Sequence, residues 1–136
     1  MPARALSRIS YVEDDEDIQH IVRLSLERIG GLSVDIIGDP ARAIERMVEF
    51  KPDLVVLDWM MPKIDGPTLC RQMRARSETR DLPVVFVTAK ASPHEIEELR
   101  ALGAAGTISK PFSPMNLPGQ LRAIWDSLAA RGPLQS

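Results

Sequence analysis

Leu54-Val55-Val56-Leu57-Asp58-Trp59-Met60-Met61-Pro62 is the stretch that decides the fold. Four consecutive apolar residues, Leu54 to Leu57, predict a strand buried on both faces, as inside a parallel sheet. The run stops on a carboxylate, Asp58. Apolar residues resume at once, and Pro62 forbids a regular ladder beyond them. A charged side chain at the exit of a buried strand is costly unless it has partners. In α/β sheets the carboxyl ends of strands are where ligands bind. The question is therefore what else converges on Asp58.

Upstream, Ile9-Ser-Tyr-Val12 predicts a short strand that runs into Glu13-Asp14-Asp15-Glu16-Asp17. Ile18, Ile21, Val22, Leu26 and Ile29 then share the spacing of one helical face. The acidic residues suit the start of that helix, with Asp14 or Asp15 as its cap, and Gly30-Gly31 ends it. Leu32 to Ile37 predicts a second strand, followed by Gly38. Asp39-Pro40 opens a helix whose inner face is Ala43, Ile44, Met47 and Val48.

Downstream, Lys63-Ile-Asp-Gly66 reads as a turn, and Pro67 starts a helix with Leu69, Cys70 and Met73 inward. Val84 to Val87 predicts a fourth strand, leaving into Thr88-Ala89-Lys90. Ser92-Pro93-His94-Glu95 is a capping box, and the helix behind it uses Ile96, Leu99 and Leu102. Ala104 to Ser109 holds a last strand, leaving into Lys110-Pro111-Phe112. The final helix carries Leu121, Ile124, Trp125 and Leu128 on one side, and Pro118-Gly119 predicts an irregular first turn. Five repeats of strand then helix predict an α/β fold: a doubly wound five-stranded parallel sheet with right-handed crossovers.

The bulk composition narrows the function. The chain has 136 residues, 44% of them hydrophobic and 26% charged, which suits one globular domain. A net charge of −2 gives no strong pull toward nucleic acid or an anionic membrane. Cys70 is the single cysteine, so an intrachain disulfide is excluded and a reducing, cytoplasmic setting is expected. No run approaches a membrane span. Residues 1–130 are expected to form the domain and 131–136 a loose tail.

The strand exits carry the chemistry. Strand one delivers Glu13 and Asp14, strand three Asp58, strand four Thr88 and strand five Lys110. Strand two delivers only Gly38, which agrees with an edge position. Three carboxylates packed together repel one another, and a divalent cation relieves this. All-oxygen ligation favours Mg²⁺ or Mn²⁺ over zinc. Such a cation, the Lys110 ammonium and the Thr88 hydroxyl can neutralise phosphoryl oxygens while Asp58 acts as the in-line nucleophile.

Val12-Glu-Asp-Asp15, Asp58-Trp-Met-Met-Pro62 with Asp65-Gly66, Val87-Thr-Ala89 and Lys110-Pro-Phe112 together resemble the receiver domain of two-component response regulators, from about Arg8 to Leu128. The resemblance implies a flavodoxin-like fold with strand order 2-1-3-4-5. It implies Asp58 as phosphoacceptor, Glu13, Asp14, Asp58 and the Met60 carbonyl as the Mg²⁺ site, Thr88 as switch hydroxyl and Lys110 as phosphate-binding lysine. It also implies a cis bond between Lys110 and Pro111. The expected partners are a sensor histidine kinase or histidine phosphotransfer protein and, because nothing after Leu128 is long enough for an output domain, a downstream protein. The expectation is a signalling module rather than an enzyme, with at most self-phosphorylation and slow self-dephosphorylation.

Two positions depart from the pattern or tune it. Thr107 stands where the family often has an aromatic residue, three positions before the lysine, so the signal is expected to leave through the loop after strand four and the helix behind it. Met60 and Lys90 lie two residues beyond Asp58 and Thr88, where they flank the phosphoryl group. The Met60 side chain cannot orient a hydrolytic water, which predicts slow phosphate loss.

Other readings are weaker. A Mg²⁺-dependent phosphohydrolase would want an acid two residues after Asp58, where Met60 stands. A receiver that only docks partners, without phosphorylation, is a further alternative. A calcium loop over Glu13–Leu24 fails, with Ile18 at its sixth position and Leu24 at its twelfth. Cys70 reads as a packed hydrophobe, His20 and His94 as surface residues, and Arg71, Arg74, Arg76 and Arg80 as a solvated basic face.

Overall fold

A computed structural model describes residues 4–89 and 92–131, with side chains through Leu128. Lys90 and most of the expected tail, residues 132–136, lie outside the described residues. The chain alternates strand and helix: β1 (Arg8–Val12), α1 (Glu16–Arg23), β2 (Ser33–Ile37), α2 (Ala43–Phe50), β3 (Leu54–Asp58), α3 (Gly66–Arg74), β4 (Val84–Thr88), α4 (Pro93–Ala101), β5 (Gly106–Ser109) and α5 (Leu117–Arg131). All strand pairs are parallel, and the sheet order is β2-β1-β3-β4-β5.

The sheet divides two cores. One holds Ile9, Tyr11, Val22, Leu26, Val56, Val87, Leu121 and Trp125, under α1 and α5. The other holds Val12, Met47, Val55, Leu57, Leu69, Cys70, Phe86 and Leu99, under α2, α3 and α4. Every residue of β3 is buried because both its faces are covered. Full burial of each such Leu or Val contributes roughly 1.5–3 kcal/mol.

Several local expectations meet their physical cause. Asp15 caps α1 by accepting from the amides of Asp17 and Ile18. Ser92 and Glu95 form both halves of the capping box. Asp65 caps α3 through the Thr68 amide at 2.8 Å.

The inner face of the first helix is narrower than its spacing predicts. Val22 and Leu26 are buried, but Ile21 and Ile29 are exposed. The helix passes into a π-helical segment, Leu24–Ile29, whose wider i→i+5 turns break the three-and-four spacing. Ile96 likewise lies at the surface, and Leu99 makes the contact of α4 with the core.

α5 also corrects its expected start. The irregularity falls upstream, where Asn116 and Leu117 both donate to the Ser113 carbonyl. Pro118 then sits in the regular first turn, where its missing amide is not needed. Pro118 packs on Gly30, where a Cβ would stand 2.9 Å from the proline Cβ. The helix runs through Arg131, one residue into the segment expected as a tail.

Candidate functional site

The parallel register brings the strand exits to one edge. Val12 pairs with Leu57, Asp58 with Val87, and Thr88 with Ser109. Glu13 follows β1 directly, Asp58 and Thr88 end β3 and β4, and Lys110 follows β5. The expected site residues are therefore neighbours in space although nearly a hundred positions separate them in sequence.

Glu13, Asp14 and Asp58 each offer a carboxylate oxygen, and these atoms lie within 4.8 Å of one another. The Lys110 Nζ lies 3.1 Å from Oδ1 of Asp58 and 3.7 Å from Oε1 of Glu13. Glu13, Asp58 and Thr88 are buried, whereas Asp14 is exposed. The Lys110–Pro111 bond is cis, as the resemblance implies.

Glu13 shows how tightly the charges are packed. Burial pushes its carboxyl up to about 7, and the charges on Asp58 and Asp14 push the same way. The Asp15 amide, donating to Oε2 at 3.0 Å, and the Lys110 ammonium oppose them. Oε1 of Glu13 has no hydrogen-bond partner although it is buried. Burial, and then the Glu13 and Asp58 charges, also hold the Tyr11 hydroxyl far above the usual phenol range.

The loop after β3 closes against the site. The Gly66 amide donates to the Trp59 carbonyl at 2.9 Å. A Cβ on Gly66 would stand 2.6 Å from the Asp58 carbonyl oxygen and 3.1 Å from the Phe86 ring. Only glycine allows that approach. Trp59 is half-buried and meets Phe86 edge to face at 5.8 Å, while the Met60 side chain is 74% exposed at the rim. Thr107 is exposed on β5.

The chain matches the model of the response regulator receiver domain over residues 9–122. It belongs to that family. The receiver is 40% identical over 121 residues to the phosphate regulon transcriptional regulatory protein PhoB of Rhizobium meliloti, covering 88% of this chain and 52% of that protein. It is 37% identical over 117 residues to the response regulator MprA of Mycobacterium leprae, covering 86% and 50%. The receiver thus spans about half the length of these curated relatives. Among solved structures it resembles the chemotaxis protein CheY4 of Vibrio cholerae, with a TM-score of 0.81 at 27% identity, covering 88% of this chain and 99% of that one. A sensor protein from Polaromonas sp. JS666 gives 0.79 at 33% identity, covering 89% and 97%. No helix among the described residues is long and apolar enough to cross a membrane.

Sequence reasoning missed three supporting residues. Tyr11 is buried beside the acidic cluster and was legible only as a strand residue. Arg74, read as solvated, is half-buried and donates to the carbonyls of Leu82, Arg80 and Leu102 at 2.8, 2.9 and 3.2 Å. Asp53 is buried at the opposite edge of the sheet, where the amides of Ser7 and Arg8 and the Arg4 guanidinium meet it. The remaining surface readings stand: Cys70 is buried as a free thiol, and His20 and His94 are exposed.

Proposed function

We propose that this receiver accepts a phosphoryl group on Asp58 from the histidine of a sensor kinase or phosphotransfer protein, in the cytoplasm, and then changes its binding to a downstream protein. The observation that carries this reading is the Lys110 ammonium 3.1 Å from an Asp58 oxygen, beside the Glu13–Asp14–Asp58 cluster. Residues 1–130 form the receiver in this reading and 131–136 its tail.

The donor set fits a hard divalent cation. Its oxygens are carboxylates, and Oε1 of Glu13 is buried without a hydrogen bond. Glu13, Asp14, Asp58 and the Met60 carbonyl would hold Mg²⁺, or Mn²⁺. Such an ion supplies positive charge to the phosphoryl oxygens.

The chain's own residues do the rest. The Asp58 carboxylate forms the new P–O bond as the P–N bond to the donor imidazole breaks, and the electron pair stays on the imidazole nitrogen. Lys110 meets one phosphoryl oxygen and the Thr88 hydroxyl another. Thr107 has no ring to turn inward, so the change in Thr88 leaves through the β4–α4 loop and α4. Faster or slower hydrogen exchange within residues 89–107 on loading a phosphoryl mimic supports that route, and unchanged exchange rejects it.

A small acyl phosphate plus Mg²⁺ tests the function. A persistent adduct that Asp58→Asn abolishes is the expected result. Continuous phosphate release at multiple turnovers would favour the phosphohydrolase reading. No labelling of folded protein would favour a receiver that only docks.

A further inference from the structure

We propose that Tyr11 is the buried positioning residue of the acidic cluster, its hydroxyl donating to the Glu13 carboxylate directly or across one water. This rests on the reading of Glu13 as part of the cation site. Tyr11 and Glu13 are alternate residues, at and just beyond the end of β1, so their side chains leave the same face of the sheet. Tyr11 is fully buried among Ile9, Val56, Val87 and Ile108. Its hydroxyl has no hydrogen-bond partner, and neither has Oε1 of Glu13.

Two unsatisfied polar atoms on one buried face need a common explanation, because each alone costs roughly 1–3 kcal/mol. A phenol is both donor and acceptor, and a carboxylate is an acceptor with spare lone pairs. The Tyr11 proton stays on at any working pH, so the hydroxyl is always able to donate. Oε2 of Glu13 already accepts from the Asp15 amide, which leaves Oε1 for Tyr11. A donor behind a ligating carboxylate fixes its orientation toward the ion, as outer partners do in metal sites generally. Phenylalanine would pack the same core as well, so the hydroxyl is the part that needs a role.

Tyr11 is the single tyrosine, so one ring-labelled carbon reports on it without assignment. The test uses the full chain with tyrosine labelled at Cζ, as wild type, Glu13→Gln and Tyr11→Phe. In wild type, Mg²⁺ is expected to shift the Cζ resonance along the same curve as metal binding. Glu13→Gln should shift it without metal. Tyr11→Phe should stay folded and bind Mg²⁺ about tenfold more weakly. Wild type that binds Mg²⁺ with Cζ unmoved, or Tyr11→Phe with unchanged affinity, overturns the proposal. Should wild type bind no Mg²⁺ at all, the cation reading itself fails. The metal-free Glu13→Gln spectrum then decides the Tyr11–Glu13 link alone, and it also decides if Tyr11→Phe does not fold.

Discussion

The Lys110 ammonium sits 3.1 Å from Oδ1 of Asp58, reaching in from the end of β5 across β4. It also lies 3.7 Å from Oε1 of Glu13, so its charge is set against the buried side of the carboxylate cluster. Breaking a buried pair by removing one partner costs about 3–5 kcal/mol. The Lys110 side chain is 24% exposed, and solvent takes up part of that loss. Lys110→Met should therefore lose about 1–3 kcal/mol at pH 8. Urea denaturation measures it, and Mg²⁺ should restore part of the loss by binding the folded state. An unchanged midpoint would show that the ammonium does not balance the cluster.

The metal-free protein should become less stable as pH rises. Glu13 ionises at an ordinary 4.5 when unfolded but at about 7 when folded, so the folded chain holds a proton that the unfolded chain has released. Its stabilising contribution is full below 4.5 and is lost as pH climbs through 7. Denaturation at pH 5 and pH 8 in chelator should show the fall, and Glu13→Gln should flatten it. Mg²⁺ affinity should rise over the same window, because the ion displaces that proton.

Phosphate loss should be slow, and Met60→Asn should hasten it several-fold. The Met60 side chain lies open at the rim and offers no good hydrogen bond to a water in line with the P–O bond. An amide at this position does. Timed release of phosphate after removal of the donor measures the difference, and equal rates would remove Met60 from the account.

Arg74 ties the end of α3 to the end of α4. Its guanidinium donates to the Leu82, Arg80 and Leu102 carbonyls, while Arg71 pairs with Glu98 alongside. Arg74→Ala should cost about 1–3 kcal/mol through the carbonyls left unpaired. Hydrogen exchange around 99–104 should quicken while phosphoryl uptake is retained. Unaltered exchange would mean the brace does not hold α4.

The fold was legible because each strand is an uninterrupted apolar run and each helix carries a cap, as Asp39-Pro40 and the Ser92 box illustrate. The site was legible because Glu13, Asp58, Thr88 and Lys110 each interrupt an apolar run at a strand's end. Ile21 and Ile29 misled because a π-helical turn is invisible to a spacing rule built on α geometry. Arg74 misled because arginine carries a long apolar stem and reaches carbonyls from an otherwise solvated face. Tyr11 gave no signal of its own, since tyrosine is an ordinary strand residue.

The central claim is that Asp58 itself carries the phosphoryl group. Labelling the full chain with a small acyl phosphate and Mg²⁺, then reducing the acyl phosphate with borohydride, converts the modified aspartate to homoserine. Peptide mass mapping should place homoserine at position 58, with none when Mg²⁺ is chelated. Homoserine at another carboxylate, or equal labelling of Asp58→Asn, would contradict the account.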